Sequence, residues 1–327
     1  MAKFKVVVTD DRYNDYDVEK SVLDEIGAEL VVNKGSSEED LIAACRDADG
    51  ILCNLNRMTA KVIGKLEKCR VISRYGVGYD NVDVKACTDK GIYLTNVPDY
   101  CAEEVSDHAL ALLMCCARKV AKRDAQVRKG MWDIGSKDPI YRIAGKTFTF
   151  IGFGKIGKCL YRKIKGLDLS RILIYDPYLD AETIESFGAE KADFETALRE
   201  ADFVSLHLPL NEKTKSIMDG KALSLLKKTA VIINTSRGPL IDEDALFDAL
   251  KKGEISYAGL DVHVKEPMDP KDPLMKLDNC LLTDHVGWYS EESIHELKRK
   301  AAENVRDVLL CREPKYKVND IEVCLRT

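Results

Sequence analysis

The chain has 327 residues, 45% of them hydrophobic and 32% charged, with a net charge of −5. That length exceeds the roughly 100–200 residues of a single domain, so two domains of a soluble globular protein are expected. The charge leaves no electrostatic footprint for nucleic acid, and no apolar run approaches the roughly 18 residues a membrane span needs.

The first residues, Met1 to Lys5, lead straight into a strand instead of a secretory segment, so a cytoplasmic protein is expected. Short apolar runs then alternate with helical stretches. Strands are read at Val6–Val8, Leu30–Val32, Gly50–Cys53, Arg70–Ile72 and Ile92–Leu94, with helices around Val18–Ile26, Glu38–Cys45, Ala60–Leu66 and Val84–Lys90 between them. Strict alternation of strand and helix implies a parallel sheet covered on both faces. From Glu103 to Ala117 a long helix follows, hydrophobic nearly all round through Ala109–Met114, which predicts burial between domains or subunits. A more polar helix around Ala121–Lys129 and an irregular stretch, Gly130–Ile143, precede a second α/β series. Its six strands are read at Thr147–Ile151, Ile172–Tyr175, Phe203–Leu206, Ala230–Ile233, Ser256–Leu260 and Cys280–Leu282. A last helix spans roughly Glu291–Cys311 and is expected to cross back to the first domain. Eleven cysteines without a C-x-x-C pair read as reduced, mostly buried thiols, with neither a disulfide framework nor a metal site.

The second series opens on Gly152-Phe153-Gly154-Lys155-Ile156-Gly157, directly after a strand. In such a motif the first glycine makes the sharp turn, the second lets a pyrophosphate approach the backbone, and the third packs the helix closely. The helix starting near Lys155 points free N–H groups and its dipole at the phosphates. Asp176 ends the next strand, 24 positions after Gly152, where a carboxylate accepts from ribose hydroxyls and repels a 2′-phosphate. NAD is the expected cofactor; the alternative for Asp176-Pro177 is a simple turn.

Three loops follow the carboxyl ends of later strands, where open α/β sheets place ligands. They are Asn234–Gly238, Asp261–Pro267 and Thr283–Trp288. They offer Arg237, Glu266 and His285. Oxidising an alcohol needs a base for the hydroxyl proton, which suits an imidazole oriented by a carboxylate. A guanidinium binds a carboxylate by paired hydrogen bonds and polarises a carbonyl. Taken singly, each is as readily a surface or core residue.

These motifs, with Ser205–Thr214 and Ser73–Asn81, resemble the D-isomer-specific 2-hydroxyacid dehydrogenases over almost the whole chain. The resemblance implies NAD-dependent interconversion of a small D-2-hydroxy acid and its 2-oxo acid. Arg237 would orient the substrate, His285 would act as acid/base and Glu266 as its partner. Gly152, Gly154, Lys155, Ile156, Gly157, Asp176, His207, Pro209, Thr214, Thr235, Ser236, Asp261 and Gly287 would line the cofactor. Tyr75, Gly76, Val77 and Gly78 would hold the substrate carboxylate by backbone amides, with Val77 beside the nicotinamide. It further implies two doubly wound parallel-sheet α/β domains with a cleft between them. Residues 1–101 plus 290–327 would form a discontinuous flavodoxin-like substrate domain, and 102–289 a Rossmann NAD-binding domain.

The His285–Glu291 segment looks most like the branch holding the C-terminal-binding-protein corepressors. Trp288 either favours an apolar substrate side chain or packs at a hinge. An NAD(H)-sensing interaction protein is therefore the rival reading. A homodimer is expected through Glu103–Ala117 and the Gly130–Ile143 arm. Asp284 stands where many members have proline, and either raises the adjacent histidine or faces solvent. The end at Thr327 leaves out the regulatory extension of some phosphoglycerate dehydrogenases, so serine feedback is not expected.

Overall fold

A computed structural model describes residues 3–35, 37–132 and 138–321. The chain divides into two compact units, Met1–Cys101 with Ser290–Thr327, and Ala102–Tyr289.

In the first unit β1 (Phe4–Val8), α1 (Asp17–Asp24), β2 (Ala28–Val32), α2 (Glu38–Cys45), β3 (Gly50–Cys53), α3 (Ala60–Gly64), β4 (Val71–Arg74), α4 (Val84–Asp89) and β5 (Tyr93–Thr95) follow in strict alternation. All neighbours pair in parallel, in the order β2-β1-β3-β4-β5. That is the flavodoxin-like order, with the switch of direction between β1 and β3. Both faces are covered, so the strands carry near-continuous apolar runs; Val6, Val7, Val8, Ile51, Leu52, Val71 and Ile72 are all buried. Val7, Ile51, Cys53, Ile72 and Leu94 form one face with α2, α3 and α4.

The second unit begins with α5 (Ala102–Arg118) and α6 (Val120–Arg128). Its sheet is then built from β6 (Thr147–Ile151), α7 (Lys155–Ile164), β7 (Arg171–Tyr175), α8 (Ala181–Glu185), β8 (Glu190–Lys191), α9 (Phe194–Arg199) and β9 (Phe203–Leu206). It closes with α10 (Gly220–Leu225), β10 (Val231–Asn234), α11 (Glu243–Lys252), β11 (Tyr257–Leu260) and β12 (Cys280–Leu282). The parallel order β12-β11-β10-β9-β6-β7-β8 reverses between β6 and β9, as in Rossmann-type sheets. Side chains alternate across it: Val204, Leu206, Ile232, Ala258 and Leu260 pack toward α9, α10 and α11. Phe203, Val231, Ile233 and Tyr257 pack with Phe148 and Phe150 toward α5 and α7.

Seven strands replace the six expected. The extra one, β8, has two exposed charged residues and no apolar signature, a short charged edge of the kind that discourages pairing with another chain. Helix α5 buries one side within its own unit. Val105, Ala109, Leu112, Leu113 and Cys116 are buried against α7, β10 and β11, but Ala111 is exposed and Leu110, Met114 and Cys115 are half-buried. Helix starts follow capping chemistry: Asp83, Asp180, Asp193, Asp219 and Asp242 each accept the N3 amide of α4, α8, α9, α10 and α11.

The last helix, α12 (Glu291–Leu309), belongs to the first unit, where it packs on α1, β3 and β4. Ser290 starts it with a reciprocal cap to Ser293. Beyond it the chain covers the free edge of β5. Val318 N donates to Leu94 O at 2.8 Å, and the Asn319 side chain accepts from Leu94 N at 2.7 Å and donates to Ile92 O at 3.0 Å. One buried amide thus does the work of a neighbouring strand.

Asn319→Ala is expected to lower stability by about 1–3 kcal/mol, because it leaves buried main-chain groups unpaired. Urea unfolding measures this; a change under about 0.5 kcal/mol would show that water replaces the side chain.

Candidate active site

Strand β6 ends in a turn that only glycine makes comfortably. Gly152 has φ +87°, and a Cβ there would lie 2.7 Å from His207 O. Gly154 caps α7 without a side-chain bond, is exposed, and has open space where a Cβ would be. The first N–H groups of α7 therefore face outward from an uncrowded surface, as an anion requires. Asp176 accepts from Phe153 N and from Tyr178 N, both at 2.9 Å. It both opens the turn after β7 and ties that turn to the glycine loop.

Across the direction switch, the loops after β10, β11 and β12 are built round Asp261, which is 2% exposed. Its carboxylate accepts from the Thr283 hydroxyl at 2.7 Å, Val286 N at 3.0 Å and Gly287 N at 2.9 Å. His108 Nε2, from α5, lies 3.3 Å from the carboxylate and 3.0 Å from the Thr283 hydroxyl. Because that hydroxyl's proton is committed to Asp261, His108 meets it as the donor through Nε2–H. Burial by itself raises the Asp261 carboxyl, but the bonds from His108, Thr283 and Gly287 outweigh it and hold it at about 2.

The same hub shapes His285. Its amide donates to Asp261 O at 2.8 Å, and its backbone adopts φ +60°, uncommon for a residue with a Cβ. In that conformation Nδ1 lies 2.7 Å from Glu266 Oε2, while Oε1 accepts from His263 N at 2.9 Å. Burial alone raises the Glu266 carboxyl; the bonds from His285 and the His263 amide leave it below the usual range. With Nδ1–H donated to Glu266, Nε2 is the ring atom left for proton exchange. Asp284, next to this histidine in the chain, is exposed.

The Arg237 loop is set by buried Asn234, whose side chain donates to Arg237 O at 2.9 Å and accepts from Ser236 N at 3.0 Å. Ser236 Oγ donates to Leu206 O at 2.7 Å, and Arg237 Nη1 donates to Ser236 O at 2.8 Å. A Cβ at Gly238 would lie 2.0 Å from His263 C, so the Arg237 and Glu266 loops meet backbone to backbone. Arg237, Glu266 and His285 thus belong to three loops of one unit that brace one another.

The other cofactor-lining candidates differ in what they present. Thr235 Oγ1 is buried with no partner among the described residues, a donor and acceptor in reserve. The His207 imidazole turns inward, with Nε2 2.9 Å from Ser205 Oγ and its ring 5.8 Å from that of Phe150. Burial pushes it down to about 3, so the ring is neutral, and the main chain is what this residue sets against the glycine turn. Thr214 Oγ1 donates to Pro209 O at 2.6 Å and shapes the exposed loop between them. Trp288 is half-buried, its ring 5.5 Å from that of Tyr289.

In the first unit, the Tyr75–Gly78 segment follows β4. Val97 N donates to Gly76 O at 2.9 Å and Asn96 Nδ2 to Val77 O at 2.7 Å. A planar trans peptide points its N–H opposite to its C=O, so these anchors turn the Val77 and Gly78 amides the other way. Neither amide has a hydrogen-bond partner among the described residues. Open main-chain donors of this kind suit an anion.

Sequence reasoning missed His108, and it named Asn234 and Thr283 only as members of their loops, without the structural roles they have here. A lone histidine on an apolar helix carries no signal of its own; an acceptor-rich loop such as Asp261–Pro267, in want of a donor, is the cue that points toward one.

Residues 110–287 match the family model described as D-isomer specific 2-hydroxyacid dehydrogenase, NAD binding domain. The chain is 40% identical over 273 residues to a glyoxylate reductase of Korarchaeum cryptofilum, covering 82% of each. It is 40% identical over 308 residues to a D-3-phosphoglycerate dehydrogenase of Methanocaldococcus jannaschii, covering 93% of this chain and 57% of that protein. A solved glyoxylate reductase from Paecilomyes thermophila superposes with TM-score 0.88 at 27% identity, covering 97% of this chain and 99% of that one. These relatives do not single out the corepressor-like branch.

Asp261 has a depressed pKa in the folded state, so its contribution is present above the ordinary carboxylate range and is lost as pH falls through about 2. Asp261→Asn is expected to cost about 2 kcal/mol at pH 7 and to flatten the acid limb of stability between about pH 4 and 2. Thermal melts over that window check this; an unchanged acid limb would contradict it.

Proposed function

The chain belongs to the D-isomer-specific 2-hydroxyacid dehydrogenase family, and on that premise we propose that it interconverts a small D-2-hydroxy acid and its 2-oxo acid, with His285 as acid/base, Glu266 as its partner and Arg237 binding the substrate's carboxylate and carbonyl. It is an NAD-dependent enzyme of this class. The observation that carries the assignment of roles is the 2.7 Å contact between His285 Nδ1 and Glu266 at the ends of adjacent parallel strands.

NAD bound at these residues would supply the hydride acceptor for oxidation at the hydroxyl-bearing carbon, and NADH the hydride donor for reduction. In oxidation His285 Nε2 takes the hydroxyl proton, and the Glu266 carboxylate stabilises the imidazolium that forms. In reduction the same Nε2–H donates to the carbonyl oxygen as hydride arrives. Arg237 orients the substrate and draws charge toward that oxygen. Gly152, Gly154, Lys155, Ile156 and Gly157 hold the pyrophosphate, Asp176 the ribose, and His207, Pro209, Thr214, Thr235, Ser236, Asp261 and Gly287 the rest of the cofactor. In the first unit, whose role is substrate binding, the Tyr75–Gly78 amides take the substrate carboxylate; Trp288 is assigned to the substrate side chain.

With NADH, the purified protein is expected to reduce at least one of glyoxylate, hydroxypyruvate, pyruvate, phenylpyruvate and 4-methylthio-2-oxobutyrate. Folded, NADH-binding protein that reduces none of them, yet captures a partner protein in an NADH-dependent way, would turn the reading to a sensing protein. Glu266→Gln is expected to lower reduction about 10-fold or more and to shift its pH profile, since the proton donor loses its anionic partner.

The homodimer reading draws support from the half-buried outer side of α5 and from Val120, Val127, Met131, Trp132 and Tyr141 beyond it, Trp132 being 80% exposed. Residues 133–137 of the expected arm lie outside the described residues. Light scattering at micromolar concentration is expected to give twice the 36.6 kDa chain mass; the single-chain mass would refute the dimer.

A further inference from the structure

Behind the Tyr75–Gly78 segment lies a carboxylate for which the proposed chemistry has no use. Glu19, on the first turn of α1, is 0% exposed. The Tyr75 hydroxyl, itself buried, donates to Glu19 Oε1 at 2.8 Å. Oε2 is buried with no partner among the described residues. The nearby cation is engaged elsewhere: Lys298, from α12, donates to Asp15 O at 2.6 Å and lies over the rings of Tyr13 and Tyr16. Burial raises the Glu19 carboxyl, and the Tyr75 bond and the Lys298 charge oppose this only in part.

For packing alone, an apolar side chain in this place would avoid the cost of burying a half-satisfied carboxyl. What Glu19 supplies instead is a fixed point for one hydroxyl. The Tyr75 ring is closed in, with the Tyr13 ring edge-on at 5.4 Å, and the Tyr75 amide donates to Cys53 O at 2.8 Å. Arg74 Nη1 donates to Tyr75 O. Tyr75 is thus held at its amide, its carbonyl and its hydroxyl. The next two carbonyls are held by Val97 and Asn96, and then come the open amides of Val77 and Gly78. Among the described residues, every hydrogen bond that anchors this segment is made with its main chain except the one from the Tyr75 hydroxyl to Glu19.

We propose that Glu19 is a positioning residue for substrate binding: by holding the Tyr75 hydroxyl it fixes the main chain from which the Val77 and Gly78 amides project. The inference rests on the reading that these amides take the substrate's carboxylate. A buried acceptor suits this task because its partner cannot exchange it for water, so the segment keeps one conformation before substrate arrives.

The test compares Glu19→Ala, Glu19→Gln, Tyr75→Phe and the double variant Glu19→Ala/Tyr75→Phe, with Gly78→Val as a probe of the segment itself. KM and kcat are measured with the 2-oxo acid best reduced, and NADH affinity by fluorescence titration. Glu19→Ala and Tyr75→Phe are each expected to raise KM about 10-fold, as loss of a hydrogen bond to a charged group implies, with kcat and NADH affinity within about twofold. The double variant should be no worse than either single one. Glu19→Gln keeps the accepting oxygen and should restore KM. If Gly78→Val raises KM while Tyr75→Phe does not, Glu19 has no positioning role and only this inference falls. It falls equally if Glu19→Gln is as impaired as Glu19→Ala. If Gly78→Val leaves KM unchanged, the carboxylate-binding reading falls and takes the inference with it. Should Glu19→Ala fail to fold, Tyr75→Phe and Glu19→Gln still decide the matter.

Discussion

The candidate active site depends on one buried carboxylate. Asp261 sits at the end of β11 with no solvent to satisfy it, and an ionised group in that position must be fully supplied with donors. The Thr283 hydroxyl and the amides of Val286 and Gly287 supply them, with His108 alongside. The segment after β12 therefore has little freedom. Wrapping round the carboxylate places His285 at φ +60° with Nδ1 on Glu266. An unfavourable backbone conformation persists only where its surroundings over-determine it, and here the surroundings are these donors. Helix α5 has a second role beside covering the sheet, since its His108 completes the hub.

The two units share a physical theme. In each, parallel strands end in loops whose carbonyls are occupied inward, leaving selected donors open. In the second unit these are the first amides of α7 and the Thr235 hydroxyl; in the first they are the amides of Val77 and Gly78. Cofactor and substrate are both anionic, so one device serves both. The side chains proposed for chemistry are Arg237, Glu266 and His285. They are fixed by second partners: Asn234 behind the arginine loop, the His263 amide behind Glu266, and Asp261 behind His285.

Much of this was legible in the sequence because burial on both faces writes long apolar runs. Strands such as Val6–Val8 and Phe203–Leu206 announce themselves, and Gly152–Gly157 with Asp176 marks the turn between two of them. The parts that escaped are those where polar groups do structural work. Strand β8 is two exposed charged residues, and the Asn319 amide replaces a strand at the edge of β5. Helix α5 was expected to be buried between domains or subunits; within its own unit one side stays partly open, a distinction that composition does not encode. His108 reads as an ordinary helix residue, and Glu19 as an acid that complements a helix N-terminus, until the fold brings Asp261 to one and Tyr75 to the other. Side-chain pairing between distant segments has no periodicity to betray it.

On the proposed mechanism the proton moved alongside the hydride passes through His285, while cofactor binding is the business of other residues. Single-turnover reduction of a 2-oxo acid by NADH in His285→Ala, with NADH affinity measured on the same preparation, tests it most directly. A loss of about 10²–10⁴-fold in the reduction step is expected, with NADH affinity kept within about twofold. A variant that reduces substrate at nearly the original rate, or that loses activity only because NADH no longer binds, would contradict it.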